Sequence, residues 1–283
     1  MKRLILGLLA AALVIGGLYL ALAPAVDNQL RLWRDARAVN AYREAVAGLD
    51  TLACGERLAR ARDYNASLDG IALSDAFAAD YAWGEDPGAE VLDVTGLGVI
   101  AVLELPKLGV TLPVYRGASE GGLERAVVHL EGTSLPVGGV GSECVLAGKG
   151  GGRFDDLVNG LDRMIPGDLF TLRTLQDALA YEVEAVETLS PDALGPIEAD
   201  AEVDGCTLMT TARVNGEAQR LLVRARRVSR RAVPLEDDTQ LLPGWAAGLI
   251  FAVPLLLAGL AVLALIELLR RAAGRHRIRK MKL

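Results

Sequence analysis

The apolar positions of this 283-residue chain fall into three kinds of run. Two are long and almost free of charge: residues 4–25 and residues 245–266, the second interrupted only by Pro254. Each is long enough to cross a bilayer as a helix. A second kind recurs at helical spacing. Between 28 and 70, Leu30, Leu32, Trp33 and Val39 fall on one side, with Arg31, Arg34 and Asp35 between them. After Asp50-Thr51, residues 56–68 turn Leu58, Ala61 and Tyr64 inward. The third kind is short and β-like: 98–105, 110–115, 142–147, 169–172, 180–188, 206–210 and 220–228, with turns between. Val214-Asn215-Gly216-Glu217 marks a turn joining the last two runs. Seven or eight short strands in so short a stretch predict a closed or nearly closed barrel.

The expected fold is therefore mostly β: a closed barrel of seven to eight strands with N-terminal helices, flanked by two transmembrane helices. The boundaries are an anchor at 1–26, a helical stalk and connector at 27–95, the barrel at 96–231, a tether at 232–244, a second span at 245–269 and a basic tail at 270–283. The first span runs into Asp27-Asn28-Gln29 without a compact signal-peptide pattern, which favours an uncleaved anchor.

Charge sets the orientation. Lys2 and Arg3 precede the first span, and seven Lys or Arg from Arg270 to Lys282 follow the second. Positive charge stays inside, so both termini are expected in the cytoplasm and the barrel outside. Outside those tails, 21 basic face 36 acidic residues, about −15 in all. That acidic balance argues against nucleic acid as a partner. The basic tail is also suited to anionic lipid headgroups. Neither a metal-ligand cluster nor a cofactor motif is read.

Candidate chemistry centres on Thr207-Leu208-Met209-Thr210-Thr211-Ala212-Arg213 and Gln219-Arg220-Leu221-Leu222-Val223-Arg224. This hairpin resembles the active-site hairpin of class C, pilus-building sortases, T-L-x-T-C-T-P followed by H-R-L-L-V-R. Other blocks carry the same resemblance in the same order. Glu104-Leu105-Pro106-Lys107 through Gly117 matches I-P-K-x-x-V-x-L-P-V-Y-x-G, and His129 to Gly139 matches H-L-E-G-T-S-L-P-V-G-G. Leu161-Asp162 and Pro166-Gly167-Asp168 match the L-D-x-L-x-x-G-D stretch. In such proteins a cysteine attacks a sorting-signal carbonyl, a histidine moves the proton, and an arginine supports the reacting oxygen. Here Arg220 keeps the arginine position, Thr211 stands at the cysteine position, and Lys149 stands at the histidine position in Val145-Leu146-Ala147-Gly148-Lys149-Gly150-Gly151.

A threonine hydroxyl does not ionise unaided, and an ordinary lysine titrates near pH ~10.4. The thiol acyl-transfer route is closed at these positions. The resemblance therefore implies a membrane-anchored, catalytically inactive relative at the plasma membrane of a Gram-positive-type bacterium. Its expected partners are a sorting-signal peptide, a pilin or another sortase. The alternative is an active transpeptidase working through a Thr211–Lys149 pair, with Arg220 lowering the lysine's pKa. His129 lies inside a matched block away from the catalytic trio and reads as a loop histidine with local hydrogen bonds.

Two further expectations come from the resemblance. Class C members carry an Asp-Pro-aromatic lid over the groove; Asp75-Ala76-Phe77 corresponds to it, with alanine for proline, and the alternative is an ordinary helix start with Ser74 as N-cap. The strands bearing Lys149 and Thr211 run side by side in the family, and Cys144 and Cys206 lie five residues before each. That placement makes them neighbours, either as a disulfide or as two small buried side chains.

Overall fold

The computed structural model describes residues 30–68, 75–78, 88–117, 126–148, 158–194 and 199–229, with isolated positions such as Leu123 and Ile197. The chain divides into two compact units, Arg31–Thr239 and Met1–Leu30 with Gln240–Leu283. Both apolar runs expected to span a membrane lie outside the described residues, apart from single positions. Among the described residues no helix is long and apolar enough to cross a membrane, so the two spans remain expectations from hydropathy.

Two helices lead in: α1 over residues 30–47 and α2 over Thr51–Ala66. Asp50 starts α2 by accepting the Ala53 amide at 2.6 Å, satisfying one of the donors a helix N-terminus leaves open. The buried stripe of α1 is Ala38, Val39, Tyr42 and Val46; of the expected group Leu30, Leu32, Trp33 and Val39 only Val39 is buried, and Leu32 and Trp33 are exposed. Leu32 lies two turns before Val39 on the same side, but burial begins only at Ala38. Arg37 instead covers the Trp33 ring, at 5.3 Å.

Eight strands form the barrel: β1 (Val99–Leu105), β2 (Val110–Tyr115), β3 (Val127–His129), β4 (Ser142–Gly148), β5 (Leu169–Thr174), β6 (Asp177–Leu189), β7 (Asp204–Val214) and β8 (Glu217–Arg227). They close in the order β1–β2–β3–β4–β7–β8–β6–β5. The pairs β2–β3 and β4–β7 are parallel, and the rest are antiparallel. Only β3 has no counterpart in the apolar runs, being three residues long, too short to show alternation. The β7–β8 turn is Asn215-Gly216, with φ of 54° and 89°, the left-handed pair whose twist suits a two-residue hairpin.

Strand alternation sorts side chains into two cores. Leu146, Leu208 and Val223 share a register row and join the main core with β1, α1 and α2. Their neighbours Ala147, Met209 and Leu222 form the next row and belong to a second cluster on the other side of the sheet. β1 is buried at every position because the helices cover its outer side. Tyr42 pins that cover: its hydroxyl donates to the Ile100 carbonyl and accepts the Leu175 amide, both at 2.9 Å. Asn65 at the end of α2 donates to the Leu135 carbonyl at 3.2 Å and accepts the Leu135 amide at 2.7 Å. Glu104 of β1 binds Arg43 of α1 at 3.2 Å and Arg173 of β5 at 2.7 Å through one oxygen; its other oxygen is buried without a hydrogen-bond partner.

Candidate functional site

The outer face of β4, β7 and β8 carries the residues singled out above. Ala147, Met209 and Leu222 make an apolar row across the three strands. One step further along, Thr211 stands directly opposite Arg220. Antiparallel partners of this kind hold their Cβ atoms about 5 Å apart, so hydroxyl and guanidinium stem start from adjacent sites. Thr211 is half-buried and Arg220 is buried. Lys149 lies outside the described residues, so the geometry of a Thr211–Lys149 pair does too.

Asp75 and Phe77 meet Arg220. The guanidinium donates from Nε to Asp75 Oδ1 and Oδ2 at 2.8 and 3.0 Å, and from Nη2 to Oδ2 at 2.7 Å. Its side chain is 8% exposed and that of Asp75 13%, so this bidentate pair is held largely out of water. The Phe77 ring lies 5.3 Å from the guanidinium carbon. Ala76, between them, is buried in the second cluster with Val145, Ala147, Met209, Leu222 and Ile197. The segment is a turn and not a helix start. The Asp75 carboxylate accepts the Phe77 amide at 3.1 Å, and the Asp75 carbonyl accepts the Ala78 amide at 3.0 Å. An aspartate closing its own turn supplies the local order that the absent proline would have given.

Cys144 and Cys206 are register partners on β4 and β7, both buried in the main core, on the side away from Thr211. They are free thiols in contact through a hydrogen bond, not a disulfide, and burial pushes the Cys206 thiol well up. Side chains directly abreast on neighbouring strands follow the ~4.8 Å strand spacing, wider than the ~3.8 Å between Cβ atoms of a disulfide. His129 is not a loop residue but the last residue of β3, buried, with Nε2 3.0 Å from the Ser134 carbonyl and 3.1 Å from the Thr133 hydroxyl. A small apolar cavity is lined by Leu103, Leu105, Leu146 and Leu208 of the main core and by Ala147 and Met209 of the second cluster, with no ionisable group among its described lining residues. Among the described residues no group of three or more His, Cys, Asp or Glu could hold a metal ion.

Sequence reasoning passed over Glu143. It shares the parity of Val145 and Ala147, and so the outer face. Its carboxylate lies across Gly205, where any Cβ would collide with it, and accepts the Thr207 hydroxyl at 2.7 Å. Burial pushes it up to about 7, against the opposing pull of Thr207 and of Arg224. The signal was present: a charged residue inside an apolar strand run, with a glycine five residues before Thr210 on the neighbouring run.

Comparison with known proteins comes last. The family model described as the sortase domain matches residues 103–228. No curated protein matches the chain. Among solved structures, Streptococcus pneumoniae sortase C is 31% identical, covering 69% of this chain and 97% of that one at a TM-score of 0.60. Sortase C1 of group B Streptococcus pilus island 1 is 32% identical, covering 72% and 97% at 0.60. A pilus-related sortase C of group B Streptococcus is 30% identical, covering 67% and 96% at 0.58.

Proposed function

The chain belongs to the sortase family and has the barrel of its class C, pilus-related members, and from that premise we propose that it binds a sorting signal, a pilin or a partner sortase without transferring it. The observation that carries this reading is the row Thr211–Arg220. The cation that grips a peptide carbonyl is kept, built into the sheet and protected, while the residue opposite it is a hydroxyl that does not ionise. Asp75-Ala76-Phe77 acts as a lid, occupying the groove until a ligand displaces it. Hydropathy and flanking charge support the two membrane spans with both termini in the cytoplasm and the barrel outside, and the family resemblance supports the cell surface of a Gram-positive-type bacterium.

The test uses the full-length chain in detergent with an LPxTG-type peptide and an amine acceptor. Binding without turnover, weakened by Arg220→Ala, is the expected result. Turnover that Thr211→Ala abolishes would overturn it in favour of a Thr211–Lys149 transpeptidase. Restoring Lys149→His and Thr211→Cys together gives a further check, since recovered acyl transfer would show that the rest of the site is intact.

A further inference from the structure

The start of α1 carries a second face that the barrel does not use. Leu32 is 51% exposed and Trp33 39%, side by side in the chain. One exposed apolar residue is ordinary; an adjoining pair of large ones asks for a partner. Half-buried Ala36, one turn on, falls between them around the helix. Arg34 and Arg37 are exposed on the same turns, and the Arg37 guanidinium lies 5.3 Å from the Trp33 ring. The barrel side of the helix is separate: Ala38, Val39, Tyr42 and Val46 are buried in the main core. Tyr42 and Arg43 tie that side to Ile100 and Glu104 of β1, so a contact made at the first turns is transmitted to the barrel.

Three features say what covers this face. Its chemistry is that of an interface: an indole with an apolar body and a polar edge, an aliphatic neighbour, and arginines whose stems can bury while their heads stay wet. Its charge runs against the rest of the exported chain. Residues 31–37 carry three arginines and one aspartate, whereas the chain between the two apolar runs is strongly acidic. Its position is close to a bilayer. The first apolar run ends at residue 25, seven residues before Leu32, and so short a connection reaches at most about 25 Å even when fully extended.

Resting on the membrane spans proposed above, we infer that the first two turns of α1 dock on the bilayer surface. Leu32 and Trp33 enter the boundary between headgroups and acyl chains, and Arg34 and Arg37 engage anionic headgroups. The helix is then shared between two partners: its start belongs to lipid and its remainder to the barrel.

The experiment places the full-length chain in vesicles rich in phosphatidylglycerol, with Trp83→Phe and Trp245→Phe so that Trp33 is the fluorescent reporter. Lipids brominated near the glycerol end of the acyl chain quench a tryptophan at that depth. Trp33 is expected to lose at least about half its emission on them. In phosphatidylcholine vesicles, and in a chain carrying Arg34→Gln and Arg37→Gln, the loss is expected to shrink by about twofold or more. Leu32→Ser is expected to reduce it likewise, with no change in the denaturation midpoint, because Leu32 stands outside the core. Flotation and carbonate extraction report on the spans separately. A chain that floats and resists carbonate while Trp33 stays unquenched would overturn this inference and leave the spans standing. A chain that does not float would overturn both. Trp33 shielded from aqueous iodide yet unquenched by brominated lipid would replace the bilayer with a protein surface. Quenching indifferent to lipid charge would overturn the part given to Arg34 and Arg37.

Discussion

Two faces of the barrel are covered, and each cover carries an ion pair with at least one buried member. Over β1 the cover is continuous: α1 and α2 lay Val39, Tyr42, Val46, Leu58 and Ala61 on the strand and join one core with it. There Glu104 is shared between two guanidiniums, one from a helix and one from a strand. Over β4, β7 and β8 the described cover includes a single turn, with one carboxylate, one ring and one buried methyl group, beside Leu130 and Ile197 of the same apolar cluster. Packing area holds the first cover, and the ion pair adds little to a burial that is already complete. The turn over the second face has little area of its own, so the ion pair and the ring contact with Arg220 fasten it.

The strongest break of this comparison is Tyr42→Ala. It removes a fully buried ring and the bonds to Ile100 and Leu175, and is expected to lower unfolding free energy by about 3–5 kcal/mol in chemical denaturation. A loss below about 1 kcal/mol would show the helices to be as detachable as the turn.

Next in size is a pH effect on the groove face. Glu143 titrates near 7 in the fold and near 4.5 in the open chain, so the folded state holds its proton longer. Stability is then full below pH about 4.5 and falls as pH rises to about 7, by at most about 3 kcal/mol. Denaturation at pH 5 and pH 8 checks it: Glu143→Gln is expected to flatten the difference.

Arg220→Ala comes third. Stranding a buried carboxylate is normally severe, but Asp75 sits on a turn that can lift into water, so the expected loss is only about 1 kcal/mol. Hydrogen exchange at residues 75–78 is expected to rise in parallel. A loss as large as that from Tyr42→Ala would make both covers structural. Phe77→Ala is the smallest, at or below about 1 kcal/mol, with its effect seen mainly as easier peptide entry.

Most of the barrel was legible because strand alternation and turn residues are local signals. Gly109 after the Pro106–Leu108 turn, Asn215-Gly216 and the apolar runs each mark structure within a few residues. The three-residue β3 carried no such period. The start of burial on α1 was missed because Leu32 and Val39 share a stripe, and only tertiary placement decides where contact begins. Arg220, Asp75 and Phe77 could be brought together only through family resemblance, since nothing local links positions so far apart. Glu143 was missed because its burial depends on Gly205 of another strand. That Cys144 and Cys206 are abreast followed from equal offsets on two paired strands; that they stay as thiols depends on spacing the sequence does not encode.

The Asp75–Arg220 pair joins positions 145 residues apart, one before the first strand and one on the last. Closing so long a loop is entropically costly, and it requires β8 to be seated between β6 and β7 beforehand. The turn is therefore fastened only once β8, which carries Arg220, is in place, so the closed groove depends on contacts from both ends of the described chain.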